Sequence, residues 1–169
     1  MNTDIEVYDN FLENPIFQTI SERIMGSYFQ WSYTDWIIDE DKRICDELDN
    51  HQMYSLIYND NEPRNNIFDL MKSILIHEKV NCKSIIKIKA NLSFRTQERI
   101  IHGHHVDLPY ECKTAILYLN TNDGSTIFKD GREVGSIANR MVIFNSQLEH
   151  TGTTCTDKKT RVVLNFNYF

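Results

Sequence analysis

SIIKIKAN, residues 84–91, decides the class of fold. Ile86, Ile88 and Ala90 alternate with Lys87, Lys89 and Asn91. A period of two places apolar side chains on one face of a strand and polar ones on the other. The same pattern of short segments continues downstream, with strand candidates at 99–105, 114–120, 125–128, 132–137, 141–144, 149–153 and 161–168. Turn formers separate them: Asn122-Asp123-Gly124, Asp130-Gly131 and Asn139. Many short strands at close spacing predict an antiparallel sandwich or a double-sheet jelly roll. Such a fold has an open mouth between its sheets, where ligands and metals sit.

Upstream of Ser84 the pattern is different. Residues 5–12 read as a short strand and turn. Asn14-Pro15 predicts a helix start, with Asn14 as cap and Pro15 in the first turn, and Ile16, Ile20, Ile24 and Met25 recur at helical spacing up to Gly26. Residues 27–62 show no clear period, with aromatics first and acids after. A second helix is expected beyond Pro63, with Ile67, Leu70, Met71, Ile74 and Leu75 on one face, ending near Val80. The expected architecture is mainly β with flanking N-terminal helices, an α+β arrangement. It is one domain over 1–169, with a helical or irregular flank at 1–82 and a double-stranded β-helix (jelly-roll) core at 83–169.

The composition narrows the function classes. At 169 residues the chain is long enough to bury a core without disulfides or a structural metal. A formal charge of −6 weighs against non-specific nucleic-acid binding, although a local basic groove stays open. Cys45, Cys82, Cys112 and Cys155 form no CxxC pair, so free thiols in a reducing compartment are expected. MNTDIEVYDNFL has no basic segment followed by an apolar run, and no apolar run approaches the roughly 18 residues of a membrane span. A cytoplasmic protein with no membrane partner is expected. Nothing in the sequence sets its oligomeric state.

The chemistry is concentrated in HGHHVD, residues 102–107. His105 stands two residues before Asp107, and on a strand both side chains would point to one face. His150, at the start of a distant strand candidate, supplies a third donor. Two imidazoles and a carboxylate on one face of a metal are the facial triad of non-haem Fe(II) oxygenases. Three positions then stay open, two for a chelating 2-oxo-acid and one for O2. The distal carboxylate of such an acid needs a buried cation, and Arg161 begins the strand candidate after that of His150. Thr114 and Tyr118, an even step apart on one strand, add hydroxyls for the same acid. An isolated HxD is weak, since a chain with this many His and Asp holds about 0.5 by chance. The order of HxD, short strands, His and then Arg is what raises it. His102 and His104 compete for the first ligand position and are placed near the mouth.

HHVD (104–107), TAILYLN (114–120), GSTIF (124–128), NRMVIFNSQLEHTG (139–152) and RVVLNFNYF (161–169) together resemble the 2-oxoglutarate/Fe(II) dioxygenase superfamily. Within it the chain is similar to the prolyl-4-hydroxylase-like branch and to short oxygenases encoded by bacteriophages. VYDNFL (7–12) extends the likeness towards the N-terminus. The resemblance implies a double-stranded β-helix, iron held by His105, Asp107 and His150, and 2-oxoglutarate anchored by Arg161 with Tyr118. It implies Fe(II), 2-oxoglutarate and O2 as reactants, with ascorbate as an accessory reductant where one is used. Succinate and CO2 are the by-products, and the setting is a host cytoplasm if the chain is phage-encoded. The interval from His150 to Arg161 is a little longer than the family's usual one, so Lys158 and Lys159 stand as alternative anchors. The prolyl-hydroxylase likeness implies a peptide substrate, covered by the Trp31–Trp36 region and the Phe94–Arg99 loop. Lys87, Lys89, Arg95 and Arg99 suggest instead an acidic or nucleotide substrate, or simply a solvated sheet face, and the same chemistry on a small molecule stands as a further alternative. A non-catalytic jelly-roll binding module is the reading from a different class.

Overall fold

The computed structural model describes residues 4–169; residues 1–3, the start of the segment read as lacking a leader, lie outside the described residues. Two α-helices, one 3-10 turn (Glu47–Asp49) and eleven strands appear among the described residues. In chain order they are β1 (Glu6–Tyr8), α1 (Asn14–Met25), β2 (Ser32–Thr34), β3 (Gln52–Asn59), β4 (Glu62–Pro63), α2 (Phe68–Leu75), β5 (Ile85–Phe94), β6 (Lys113–Tyr118), β7 (Ser125–Phe128), β8 (Glu133–Gly135), β9 (Met141–Asn145), β10 (His150–Gly152) and β11 (Thr160–Tyr168). The larger sheet runs β1-β9-β6-β11-β5-β3-β2, with β4 paired to β3, and the smaller runs β10-β7-β8. All the strand pairs are antiparallel. This is the jelly roll expected from the strand pattern.

Alternation along β11 explains the layering. Val162, Leu164, Phe166 and Tyr168 pack with Ile20 and Ile24 of α1 and Met71, Ile74 and Leu75 of α2 in one core. Val163 turns the other way, into a second core with Ile116, Tyr118, Phe128, Val142 and Phe144 between the two sheets. The larger sheet is therefore covered on one face by helices and on the other by the smaller sheet and a cavity. Phe166 is fully buried at the helix-covered face. Phe166→Ala should destabilise the fold by about 3–5 kcal/mol, from lost transfer energy plus the cavity left behind. A shift of the urea midpoint at unchanged slope would show it; a change under about 1 kcal/mol would contradict this packing.

Several local expectations need correction. Asn14 lies inside α1, and the cap position falls on Glu13, which makes no side-chain cap bond. Ile16 and Met25 are exposed, so the buried stripe is Ile20 and Ile24. α2 stops at Leu75, short of Val80. Residues 27–62 are only partly irregular: 35–51 holds no strand, but β2 and β3 form on either side of it and β3 pairs with β5 along most of its length. Its period was masked because a register shift between Leu56 and Tyr58 breaks the alternation of QMYSLIYN. β1 likewise pairs with β9, so the first 82 residues contribute strands to the same sheet as the rest. The strand expected at 99–105 does not form. Gly103 adopts φ +147°, where a side chain would meet the Lys42 carbonyl, and only isolated bridges at Ile101 and His105 flank it.

Candidate active site

His105 and His150 face each other across an antiparallel bridge, each backbone N–H donating to the other's carbonyl at 3.0 Å. This sets their rings side by side, with centroids 5.0 Å apart. Asp107 Oδ1 lies 3.8 Å from Nε2 of each histidine. All three ligand atoms fall within 4.8 Å of one another. A cation bound at roughly 2.0–2.2 Å from each fits between atoms so spaced.

The remaining atoms of the triad are committed elsewhere. His150 Nδ1 lies 2.9 Å from the Leu148 carbonyl and His105 Nδ1 lies 3.4 Å from that of Gly103. With Nδ1 donating, each Nε2 keeps its lone pair for the common centre. Phe144 packs edge-on against His150, with centroids 4.8 Å apart. Asp107 Oδ2 accepts from Thr114 Oγ1 and Asn167 Nδ2, both at 2.9 Å, leaving Oδ1 to face the histidines. Burial, with the neighbouring His150, holds His105 below its ordinary value. Burial raises the Asp107 carboxyl, but His150, the Asn167 amide, His105 and the Thr114 hydroxyl outweigh it and hold the group below the usual carboxylate range. Both shifts favour the coordinating forms, neutral imidazole and carboxylate. Asn167→Ala should weaken metal binding by about 10–100-fold while leaving the fold intact, as outer partners of ligands generally do. Competition with a chromogenic chelator would measure it, and unchanged affinity would show that the amide does not position Asp107.

Arg161 lies at the other end of the same cavity, which has a volume of about 300 Å³. The guanidinium is buried; Nε donates to Ser136 Oγ at 2.8 Å and Nη2 to Thr126 Oγ1 at 3.3 Å. No carboxylate lies within ion-pair distance of it among the described residues. A buried charge without a counter-ion is expensive. Its surroundings are cleared by two glycines. A Cβ at Gly124 would lie 2.7 Å from Arg161 Cδ and 2.8 Å from the Thr154 carbonyl, and one at Gly152 would lie 3.2 Å from Arg161 Nη1. The donors and this unpaired cation fit a divalent metal and a dicarboxylic oxo-acid.

The other sequence candidates are placed as follows. Thr114 hydrogen-bonds Asp107 rather than reaching towards Arg161. Tyr118 is fully buried, and its hydroxyl donates to Thr126 Oγ1 at 2.8 Å, with the Val134 carbonyl 3.3 Å away as the competing acceptor. Its ring lies 5.5 Å from the Arg161 guanidinium, so it braces the arginine from behind and does not line the cavity. Lys158 and Lys159 are exposed and off the cavity. His102 lines the cavity with Nε2 unpartnered, and His104 does not line it. Trp36 is on the rim, while Trp31 packs into the helix-covered core. Lys87 and Lys89 line the cavity and are not a solvated face. Arg99 is engaged by Glu133 and the Asp123 carbonyl, and Arg95 by the Thr156 carbonyl. Asn167, Thr126, Ser136 and Gly152 were missed. Asn167 had a readable signal, since it lies an even step from Arg161 on one strand. Ser136 had none.

No protein-family model matches the chain, and a search of curated proteins returns no match. Solved structures do resemble it. A prolyl hydroxylase from Trichoplax adhaerens, in complex with a peptide fragment of the hypoxia inducible factor oxygen degradation domain, superposes with a TM-score of 0.66 at 15% identity, over 99% of this chain and 84% of that one. A prolyl-4-hydroxylase from Pseudomonas putida gives 0.60 at 14% identity, over 99% and 93%. The non-heme alpha ketoglutarate dependent epimerase SnoN of nogalamycin biosynthesis gives 0.65 at 12%, over 99% and 78%. At these identities the likeness is one of fold: this chain has the double-stranded β-helix architecture on which those enzymes are built.

Proposed function

We propose that this chain is an Fe(II)- and 2-oxoglutarate-dependent oxygenase that hydroxylates a peptide side chain, with release of succinate and CO2. The observation that carries this reading is one cavity with two ends. At one end His105, Asp107 and His150 converge, and at the other a buried guanidinium waits without a counter-ion. His105, Asp107 and His150 would hold the metal and leave its cavity side open. Bound iron, with 2-oxoglutarate and O2, supplies the oxidising power for hydroxylation. Arg161 would bind the distal carboxylate through its free Nη1 edge, held in place by Ser136, Thr126 and the Tyr118 ring. Thr114 and Asn167 would keep Asp107 turned towards the metal. Ile116 and Val163 line the cavity between the two ends and keep that stretch apolar. The peptide reading is supported by the likeness to a prolyl hydroxylase solved with a peptide and by a rim carrying Trp36 and Ile37. Four free cysteines agree with a reducing, cytoplasmic setting.

The test is conversion of 2-oxoglutarate to succinate by anaerobically iron-loaded protein exposed to O2, beside a His105→Ala control. Succinate that needs both iron and His105 is the expected result. If 2-oxoglutarate fails even to bind the iron-loaded protein, the non-catalytic binding module takes its place.

A further inference from the structure

β5 crosses the cavity beside β11, and its cavity face carries Lys87, Lys89, Asn91 and Ser93. The register sets Lys87 opposite Asn167, Lys89 opposite Asn165 and Asn91 opposite Val163. Lys87 is therefore level with the residue that holds Asp107, and Lys89 is one step nearer to Arg161. On the outer side of β5, Tyr54 pairs with Asn91, and Lys89 Nζ lies 5.1 Å from the Tyr54 ring centroid.

These ammonium groups have no ion-pair partner among the described residues. The cavity lining offers two carboxylates, and both are committed. Asp39 lies 3.6 Å from Lys42, and Asp107 faces the histidines with one oxygen while Thr114 and Asn167 hold the other. The charges of metal and oxo-acid also balance without β5: a divalent metal and Arg161 offset Asp107 and a doubly charged acid. Lys87 and Lys89 are thus surplus positive charge inside a chain whose net charge is −6. Burial, helped by Lys87, pushes the Lys89 ammonium below its ordinary value, and Asp107 opposes that shift. Beside the lysines, Asn91, Asn165 and Asn167 each present a buried side-chain oxygen with no hydrogen-bond partner. The wall therefore offers two cations and three idle acceptors, which suits a ligand carrying both an anionic group and N–H or O–H donors.

We propose that the β5 wall is the substrate subsite and that it selects a substrate with an acidic group, carboxylate or phosphate, bound by Lys87 and Lys89. This rests on the oxygenase reading, because the site lies beside the place that reading gives to metal and oxo-acid.

The test uses Zn(II)-loaded protein, so that the spectra stay free of paramagnetic broadening, and has two stages. Titrating 2-oxoglutarate comes first; if it does not bind, the oxygenase reading fails and this inference with it. With 2-oxoglutarate saturating, acid and neutral partners are compared: phosphoserine against serine, and N-acetylaspartate against N-acetylasparagine. Binding is read from the amide shifts of residues 87–91. The expected result is at least about tenfold tighter binding of the acid member of one pair, since hydrogen bonds to charged groups carry that much discrimination. Which pair responds separates phosphate from carboxylate. Lys87→Gln and Lys89→Gln should each erase most of that preference, and the wild-type comparison stands even if a variant folds poorly. Two outcomes overturn the proposal while leaving the oxygenase reading intact. One is acid and neutral members that shift these amides alike or not at all. The other is Lys89→Gln losing its affinity for 2-oxoglutarate, which would assign the lysine to the oxo-acid.

Discussion

Asp107→Ala should abolish iron-dependent turnover of 2-oxoglutarate and weaken metal binding by more than about 100-fold. The carboxylate is the one anionic donor of the three, and removing a ligand costs more than removing its outer partner, which alone costs about 10–100-fold. The substitution also strands the donors of Thr114 and Asn167, which both point at Oδ2. Leaving those donors without an acceptor costs about 1–3 kcal/mol of stability. Asp107→Asn separates the two effects, since it keeps an oxygen for the donors but removes the charge. Full activity in the Ala variant would show that the metal sits elsewhere.

Arg161→Met should raise the dissociation constant for 2-oxoglutarate by a factor corresponding to about 2–5 kcal/mol, the usual cost of removing one partner of a buried charge pair. The His105–Asp107–His150 cluster lies at the far end of the cavity, so metal affinity should be unchanged in this variant. A thermal-shift series reads this directly. Ligand at about 100 times its dissociation constant stabilises the folded state by about 2.7 kcal/mol, so the wild-type midpoint should rise with added 2-oxoglutarate and the variant's should not. Equal shifts in both would remove Arg161 from the binding site. Gly124→Ala offers a milder version. Its Cβ would press on the Arg161 side chain and the Thr154 carbonyl, displacing the guanidinium without removing it.

Those parts of the fold whose period is regular could be read from the sequence. β5 alternates because one face meets the helices and the other the cavity, and β11, buried on both faces, is apolar over Val162–Leu164. β3 escaped because its register shift disrupts the period: Ile57, the unpaired residue within the shift, and Tyr58, just after it, both contact the helix-covered core. The strand at 99–105 was over-read. Its composition suits a strand, but Gly103 takes φ +147°, outside the range of an extended strand, and the close Lys42 carbonyl leaves no room for a side chain there. In the site, the sequence offered the donor types and their order, but the geometry that brings His105, Asp107 and His150 together is an isolated antiparallel bridge between His105 and His150, not the strand expected at 99–105. What supports Arg161 was not legible: Thr126 on β7 and Ser136, just past the end of β8, reach it only through the packing of the smaller sheet. Tyr118 and Thr114 share a face as the even step required, but that face meets Arg161 from behind at Tyr118 and Asp107 at Thr114.

β11 carries two sets of side chains on alternate positions. Leu164 and Phe166 belong to the helix-covered core, and Arg161 and Asn167 to the cavity. Because the two sets interleave, a single inserted or deleted residue in mid-strand would turn phenylalanine towards the cavity that His105, Asp107 and His150 line and asparagine towards the helices at once. Such a lineage would lose its chemistry and its stability in the same event, with no intermediate on which selection could act. In the connection that leads into β11 an added residue is best absorbed at 157–159, the exposed part of the stretch from Thr153 to Lys159. A longer gap between His150 and Arg161 is the kind of drift this architecture permits, since residues 157–159 are exposed and the strand beyond them keeps its register with β5 and β6.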